Sequence, residues 1–444
     1  MPLAAGSPVT LDIERAVAGG RMLARHDGQV VFVSGTMPGE RVLAVVERVA
    51  RGTVFAATRD VLVPSPDRRA GVTGGCGGAV YGHITYTRQV GLKASVIEDA
   101  WRRVARLALP GPLTVTPSPE RGYRSRARLH AVGTRLGFYR EGTHQLCDPV
   151  ETGQLSDATA AWIRGIEERL ASHGVRGLVA LELVEDAGGR ERACHLLTAP
   201  GTDWRGLDAL GESLTGLSVS TAAPRGAAAP HGQDDGAERL NPAGGAVLAG
   251  DPAVVDRVSV TGTGAPVEIA LRHDVRSFFQ GNRFLLQPLV QHVLDAALDG
   301  PALDLYAGTG LFGLTLAAAK RIPIVLVEGE SWSSRDLAGN ATPFADLARV
   351  EQESVERFVS DPCGGCRTWI VDPPRTGLSA AVRAAIGRDH PERVVYVSCD
   401  AATLARDVRA LTDRGYEATA LTGFDLFPST AHVEAVCVLD RAKV

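Results

Sequence analysis

The feature that most constrains this chain is a repeated alternation of helix and strand that begins near residue 283. Four short apolar runs follow a predicted helix at 284–297, and helical patterning separates them. These runs are 302–306, 324–328, 368–372 and 394–398. Strands that alternate with helices predict a parallel sheet covered by helices on both faces. Ligands of such sheets bind at the carboxyl ends of the strands.

The first strand runs into a glycine-rich turn, Gly308-Thr-Gly310-Leu-Phe-Gly313, which opens a helix. Glycines let the backbone approach a ligand closely at the N-terminus of a helix. Twenty residues after Gly308, Glu328 ends the second strand, where a carboxylate can accept the two hydroxyls of a ribose. This geometry suits both NAD and S-adenosylmethionine, so the turn alone leaves both cofactors open.

Three further polar segments lie where strands end. They are Asp-Pro-Pro-Arg-Thr-Gly at 372–377, Ser-Cys-Asp at 398–400 and the run from Asp425 to Glu434. Hydride transfer to a nicotinamide gives no reason for a cysteine and a carboxylate at these positions. The segments therefore favour a chemistry other than hydride transfer with a dinucleotide. A dinucleotide-dependent oxidoreductase stays the less favoured alternative.

The N-terminal part has a different organisation. Short strands with turns between them over 9–63 predict a small β-barrel. The middle mixes strands with predicted helices at 86–107 and 157–173, and its stretch 218–250 is rich in Ala, Gly, Pro and Ser, which predicts a flexible loop. We expect a barrel domain at 1–69, a central α+β domain at 70–270 and a catalytic domain at 271–444.

Charge is unevenly distributed along the chain. The net charge of −4 excludes a polycation that coats nucleic acid, yet residues 101–140 hold nine arginines and one acid, Glu120. On a strand, Arg124, Arg126 and Arg128 share one face, and such a row can follow a phosphate backbone. Tyr123 is available for stacking. The alternative is a solvated charged face without a ligand.

Composition indicates a folded protein of several domains. The chain has 444 residues, of which 45% are apolar and 22% charged, and this balance excludes wholesale disorder. No run approaches the roughly 18 uncharged apolar residues of a membrane span, and the N-terminus lacks the pattern of a secretory signal. Seven cysteines are too sparse for a disulfide scaffold. We therefore expect a soluble cytoplasmic protein.

Taken together, these motifs resemble the RNA 5-methyluridine methyltransferases, S-adenosylmethionine-dependent enzymes that methylate uracil C5 in ribosomal or transfer RNA. The resemblance covers nearly the whole chain. Its strongest pieces are 279–282 (Phe-Gln-Gly-Asn), 303–310, 372–375, 398–407 and 427–434. The tract 9–69 resembles a TRAM domain, a small OB-like barrel that binds RNA in that family. The resemblance implies an α/β fold: a Rossmann-like class I methyltransferase domain with an N-terminal TRAM-like barrel and an RNA-binding α+β central domain.

The resemblance also implies roles for individual residues. Cys399 matches the nucleophile and Glu434 the general base. The residues that match the cofactor site are Gln280, Tyr306, Glu328 and Asp372. These residue types fit the reaction, because uracil C5 is a poor nucleophile until a thiolate adds to C6. A positioned base must then remove the C5 proton before the cysteine can leave, and the target base must leave its stack to reach the pocket.

The chain departs from the family at the iron–sulfur cluster that many members carry on four cysteines. Of the four ligand positions only Cys76 is a cysteine, since Ala70, Ala79 and Thr152 occupy the others. One thiolate cannot hold a cluster that needs four, so we predict no iron–sulfur cluster and no other metal. Cys363 and Cys366 form a C-x-x-C pair without further ligands nearby in sequence, which predicts a turn with two free thiols.

The predicted substrate is RNA. The TRAM-like barrel favours a uridine in 23S ribosomal RNA, and a uridine in the T-loop of transfer RNA is the alternative. A non-catalytic RNA-binding protein that retains the fold is the alternative from another class, and the presence of Cys399 and Glu434 argues against it. We expect a monomer that does not act at a membrane.

Overall fold

The computed structural model describes residues 3–71, 75–222, 245–262 and 264–442. Its N-terminal part is a closed barrel with the strand order β1-β2-β3-β5-β4. The strands are β1 (Pro8–Ala16), β2 (Met22–His26), β3 (Gln29–Ser34), β4 (Arg41–Ala50) and β5 (Thr53–Val63). Alternate residues of β1, namely Val9, Leu11 and Ile13, point into the barrel core, as a half-buried strand requires. The predicted barrel is confirmed.

One helix connects the barrel to the rest of the molecule. Helix α1 (Tyr86–Ala100) continues into a π-helical turn, Trp101–Ala105, and precedes strand β6 (Thr114–Thr116). Leu92 packs into the barrel core, whereas Ile97 and Trp101 pack into the core of the C-terminal sheet. The helix predicted at 86–107 is therefore confirmed up to residue 105, and it belongs to two cores at once.

The central part is a seven-stranded sheet with the order β13-β12-β11-β10-β7-β8-β9. Helix α2 (Asp157–Ser172) covers one face, and the Ser156 hydroxyl accepts a hydrogen bond from Thr159 N–H at its N-terminus. The strands are β7 (Arg126–Val132), β8 (Arg135–Tyr139), β9 (Leu146–Cys147), β10 (Leu178–Glu185), β11 (Arg192–Thr198), β12 (Gly216–Thr221) and β13 (Ala246–Gly250).

The loop predicted at 218–250 is wrong at its two ends. Residues 218–221 belong to β12 and residues 246–250 form β13, while residues 223–244 lie outside the described residues. In the sequence, the small polar residues Ser218 and Ser220 favour the prediction of a loop. In the sheet both hydroxyls lie 2.8 Å from the ring nitrogens of buried His195 on the neighbouring strand, so their polarity is satisfied inside the fold.

The C-terminal part is built on an eight-stranded sheet with the order β18-β17-β16-β19-β20-β22-β21-β6. A hairpin of β14 (Ala253–Val260) and β15 (Val267–Asp274) packs beside it. The remaining elements are α3 (Leu286–Ala296), β16 (Ala302–Leu305), α4 (Leu311–Lys320), β17 (Ile324–Val327), α5 (Ser331–Ala341), β18 (Ala348–Glu351), α6 (Val355–Phe358), β19 (Thr368–Val371), α7 (Ala380–Asp389), β20 (Arg393–Ser398), α8 (Ala401–Thr412), β21 (Tyr416–Phe424) and β22 (Glu434–Arg441).

The pairing of these strands decides where their ends meet. The first five strands of the order, from β18 to β20, are parallel, as the alternation of helix and strand predicts. β22 runs antiparallel to both β20 and β21. Buried apolar clusters fill both faces of the sheet. The α/β fold class with a small N-terminal barrel is confirmed, whereas the domain boundaries after residues 69 and 270 stay predictions.

Within the described residues, no helix is both long enough and apolar enough to cross a membrane.

One disulfide joins Cys76 and Cys147, which are 71 residues apart in the chain. The sequence does not pair them, because Cys76 and strand β9, which ends at Cys147, become neighbours only in the tertiary structure. Cys363 and Cys366 are free, as predicted, and so are Cys194, Cys399 and Cys437. The absence of an iron–sulfur cluster stays a prediction.

We predict that Cys76→Ser lowers the free energy of unfolding of the oxidised protein by about 4 kcal/mol, because the crosslink restricts a long loop in the unfolded chain. Urea unfolding with and without dithiothreitol measures this, and the wild type in reductant should match the variant. Equal stability of the two oxidised proteins would contradict this expectation.

The purified wild type should also be colourless and iron-free when prepared without oxygen. Stoichiometric iron and sulfide would contradict the predicted absence of a cluster.

Candidate active site

The glycine-rich turn after β16 fixes two carboxylates by backbone hydrogen bonds. Tyr306 has a left-handed φ of 63° as it leaves the strand, and Gly308 N–H donates to Glu328 Oε2 at 2.8 Å. Gly313 N–H donates to Asp304 Oδ2 at 2.9 Å. A Cβ at Gly313 would lie only 2.7 Å from that oxygen, so the close packing of α4 on the sheet requires glycine here.

Glu328 is held at the carboxyl end of β17 by both of its oxygens. Oε1 accepts a hydrogen bond from Glu330 N–H at 2.6 Å, and burial raises the pKa of this carboxyl. Open space lies beside Gly308, where a Cβ would meet no atom within 4 Å. A carboxylate oriented by backbone N–H groups keeps lone pairs for further donors, and the hydroxyls of a ribose are donors of the right kind.

Several acidic groups lie close together at this edge of the sheet. Burial raises the pKa of Asp304 well above its ordinary value, and the charges of Asp372 and Glu328 raise it further. Asp304 Oδ1 is buried without a hydrogen-bond partner. Carboxylates that share a site disfavour one another's ionisation. The edge therefore disfavours additional negative charge and favours a cationic ligand.

Three of the predicted site residues lie at the ends of adjacent strands. Asp372 follows β19, Cys399 follows β20 and Glu434 begins β22. Ser398 pairs with Ala435 in the antiparallel register of β20 and β22, which brings Cys399 opposite Glu434. The structure thus brings together a thiol and two carboxylates that lie up to 62 positions apart in the sequence.

Burial controls the ionisation of these three groups. It raises the pKa of Glu434 well above its ordinary value, with the charge of Asp372 as the second cause, and it raises the pKa of Asp372 to about 7. It also raises the pKa of Cys399 to about 12, and the charge of Glu434 adds to this. Arg375 acts in the opposite direction on Cys399 and Glu434. The thiol therefore keeps its proton at neutral pH in this state.

The segment that carries Gln280 crosses the same edge. Ser125 N–H donates to Gly281 O at 3.0 Å, and Phe278 N–H donates to Ser333 Oγ at 3.4 Å at the start of α5. Gln280 is buried, whereas the Phe278 side chain is 63% exposed. The sequence motifs do not single out Phe278. Two consecutive phenylalanines stand before Gln280, but only the tertiary structure shows which of them is exposed.

The arginine row forms contacts within the protein. Arg124, Arg126 and Arg128 lie along one side of β7 and the turn before it. Arg124 donates to Arg126 O at 2.8 Å and to Gln154 Oε1 at 2.7 Å, and Arg126 donates to Val275 O at 2.5 Å. Arg128 forms an ion pair with Glu182 at 3.8 Å. These guanidinium groups join parts of the protein, whereas their contact with a phosphate backbone stays a prediction.

Comparison with known proteins agrees with this geometry. A family model described as tRNA (uracil-5-)-methyltransferase matches residues 349–442. A 23S rRNA (uracil(1939)-C(5))-methyltransferase from Alkalilimnicola ehrlichii is 32% identical, over 95% of this chain and 94% of the relative. An uncharacterised RNA methyltransferase from Halalkalibacterium halodurans is 29% identical, over 99% of this chain and 98% of the relative.

The chain belongs to the RNA (uracil-C5)-methyltransferase family. The solved structure of the tRNA (uracil-54, C5)-methyltransferase of Pyrococcus abyssi, in complex with S-adenosyl-L-homocysteine, shares the fold. Its TM-score is 0.75 at 22% identity, over 97% of this chain and 99% of that one. The protein is therefore an RNA methyltransferase, and the expected family is confirmed. Membership excludes the dinucleotide oxidoreductase alternative.

The methyl donor of this family is S-adenosylmethionine, and the residues present fit it. Glu328 offers a fixed carboxylate for ribose hydroxyls beside the open space at Gly308. The edge that holds Asp304, Glu328 and Asp372 suits a sulfonium cation, because opposite charges stabilise each other where water is scarce. Tyr306 adjoins this edge, with its hydroxyl 3.4 Å from Glu356.

We predict that Glu434→Gln stabilises the protein at pH 8. The folded-state pKa of Glu434 lies above its ordinary value of 4.5. Ionisation therefore costs stability as the pH rises from 4.5 towards the folded-state pKa, and glutamine removes this cost. Below pH 4.5 both proteins carry a neutral side chain, and the difference should vanish.

Urea unfolding at pH 4 and at pH 8 measures this effect. Glu417→Gln, at an exposed position of β21 in the same sheet, is the matched control and should show no such dependence on pH. Destabilisation by Glu434→Gln at pH 8 would contradict the claim that ionisation of the buried Glu434 carboxyl lowers the stability of the folded protein.

Proposed function

We propose that this protein methylates C5 of a uridine in 23S ribosomal RNA, with Cys399 as the nucleophile and Glu434 as the base. The observation that carries this proposal is the register of β20 and β22, in which Ser398 pairs with Ala435. This register sets a thiol opposite a buried carboxylate, beside Asp372 at the end of the neighbouring strand.

Each residue has a distinct task in the proposed reaction. Gln280, Tyr306, Glu328 and Asp372 hold S-adenosylmethionine, which supplies an electrophilic methyl group. The Cys399 thiolate forms a bond to uracil C6, and the electron pair of the C5–C6 double bond moves into an enolate at C4. As C5 forms its bond to the methyl group, the bond between that methyl and the sulfonium sulfur would break, its electron pair would stay on sulfur, and S-adenosylhomocysteine would leave. Glu434 takes the C5 proton, and the electrons of the broken C5–H bond re-form the double bond and expel the thiolate.

The pKa values support this division of tasks. Glu434 has a raised pKa, and a carboxylate with a raised pKa accepts a proton more readily once it is ionised. Cys399 must lose its proton before it attacks, and the positive charge of Arg375 lowers its pKa against the larger effects of burial and Glu434. We propose that one of the nearby carboxylates accepts the proton of the Cys399 thiol when RNA and S-adenosylmethionine are bound and water is excluded from the site.

The exposed ring of Phe278 provides a surface for the target base. It is the most exposed of the large apolar side chains in the described part of the chain, and Gln280 lies two residues further on. Aromatic rings stabilise unstacked bases by stacking, and a base must leave its helix to reach Cys399. We propose that Phe278 stacks on a base at the entrance to the site.

Two RNA targets have support of different kinds. The relative from Alkalilimnicola ehrlichii, which is named for 23S rRNA, matches almost the whole chain at 32% identity, and the TRAM-like barrel also favours this target. The similar fold of the Pyrococcus abyssi enzyme, named for tRNA uracil-54, favours transfer RNA. We propose ribosomal RNA as the substrate of a monomer that acts in the cytoplasm.

The RNA target is tested by mapping 5-methyluridine in RNA from cells that lack this protein. We expect one position in 23S rRNA to lose its methyl group, and expression of the wild-type protein, but not of Cys399→Ala, should restore it. Loss of methylation in the T-loop of transfer RNA instead would replace the ribosomal target with the alternative.

The two catalytic roles predict different defects. Cys399→Ala removes the nucleophile, so methyl transfer should vanish and no covalent complex with RNA should form. Glu434→Gln keeps the nucleophile but cannot remove the C5 proton. The methylated adduct should therefore accumulate as a protein–RNA complex that survives denaturing electrophoresis, with one methyl transferred per enzyme and turnover reduced by at least a hundredfold.

Transfer of labelled methyl groups to RNA measures both defects. Normal turnover by Glu434→Gln, or an RNA adduct with Cys399→Ala, would show that the roles are assigned wrongly. No methyl transfer by the wild-type protein to any RNA would favour the non-catalytic alternative.

A further inference from the structure

Lys93, on helix α1, is a fully buried cation far from the strands of the active site in sequence. Its ammonium group donates to Asp425 Oδ1 and, at 2.9 Å, to Phe427 O. Both side chains of the ion pair are completely inaccessible to solvent. Of the 47 lysine and arginine residues in the chain, 44 are arginines and only three are lysines, and Lys93 is one of these three. The ammonium group of lysine is a more compact cation than the guanidinium group of arginine.

The same helix holds the backbone at a second point, one turn earlier. Gln89 Oε1 accepts a hydrogen bond from Ser429 N–H at 2.8 Å, and its Nε2 donates to Tyr81 O and Ile84 O at 3.1 and 3.0 Å. Ser429 has a left-handed φ of 63°, a conformation that costs energy for a residue other than glycine. These contacts keep the chain in that conformation.

Both contacts fall on one stretch of chain, Asp425 to Glu434, which we name the 425–434 segment. It connects β21 to β22, and its last residue is the proposed base. Two further groups hold its other side. Asn282 Nδ2 donates to Leu426 O at 2.8 Å, and the hydroxyl of Tyr123 donates to Pro428 O at 3.1 Å.

Stability alone does not explain a buried ion pair at this place. Removing two charges from water costs about as much as their attraction returns, and an apolar pair of similar volume often stabilises a protein equally well. Burial lowers the pKa of Lys93, and the charge of Asp425 opposes this shift. Unlike apolar contacts, the hydrogen bonds of the ammonium group are directional. They fix the positions of the Asp425 side chain and the Phe427 carbonyl at the same time.

We propose that Lys93 is a positioning residue for removal of the C5 proton. It acts through Asp425 and Phe427, and it fixes the 425–434 segment so that the Glu434 carboxylate meets the methylated base. This inference rests on the proposed function, since it assumes that Glu434 is the base. Lys93 touches neither RNA nor cofactor in this account, so its loss should affect a late step of the reaction selectively.

The test compares adduct formation with adduct resolution. In Lys93→Met/Asp425→Asn both charges are removed, which avoids an unpaired buried charge and keeps the protein folded. We expect transfer of the first methyl group to stay within threefold of the wild-type rate. Turnover should fall at least tenfold, so that the ratio of covalent protein–RNA adduct to released methylated RNA rises. Affinity for S-adenosylhomocysteine should not change.

A matched control is the ion pair of Arg393 and Asp440, which lies at the opposite end of β20 and β22. Arg393→Met/Asp440→Asn should leave the ratio of adduct to product unchanged. A merely structural role for Lys93 would lower adduct formation and turnover together, in proportion to the folded fraction measured by urea unfolding. That result, or wild-type turnover by the Lys93 double variant, would overturn the proposal.

The outcome for the wild type separates the two hypotheses. A wild-type protein that methylates uridine, together with a Lys93 double variant that keeps the normal adduct ratio, refutes only the positioning role. A wild-type protein that transfers no methyl group to RNA refutes the proposed function, and the positioning role with it.

Discussion

The antiparallel pairing of β22 with β20 is the constraint on which the rest of the active edge depends. In a purely parallel sheet, the residue that begins a strand lies at the edge opposite the residues that follow the other strands. Because β22 runs in the reverse direction, Glu434 begins its strand at the edge where β19 and β20 end. A thiol and two carboxylates therefore meet without any long loop between them.

This meeting is electrostatically unfavourable, and the surrounding structure has to hold it in place. Burial raises the pKa of Asp304, Asp372 and Glu434, and the charge of Asp372 adds to the rise at Asp304 and Glu434. A cationic methyl donor and a nearby guanidinium, Arg375, relieve part of this cost. Unfavourable charge burial of this kind is common at active sites, where stability is lower than the fold alone would allow.

The N-terminal elements contribute to the active edge. Helix α1 packs Leu92 into the barrel core and Trp101 into the core of the C-terminal sheet. From the same helix, Gln89 and Lys93 hold the segment that ends in the proposed base. Arg124, from the turn before the central sheet, stacks near Phe427 of the same segment, 5.9 Å from its ring centre. Helix α1 and the turn before the central sheet therefore both restrain one short stretch of the C-terminal part.

The sequence by itself determined the fold class and the choice of the site residues that we propose. Helix–strand alternation and the turn at Gly308 depend on local spacing, and Cys399 and Glu434 stand in motifs that keep their residue order. The tertiary structure decided what depends on distant neighbours. It directed Arg124 and Arg126 to protein oxygens, turned the ends of the predicted 218–250 loop into strands, joined Cys76 to Cys147, and exposed Phe278 rather than Phe279. The physical reason is that spacing fixes which groups follow one strand, whereas burial, charge pairing and crosslinking depend on what another part of the chain brings to the same place.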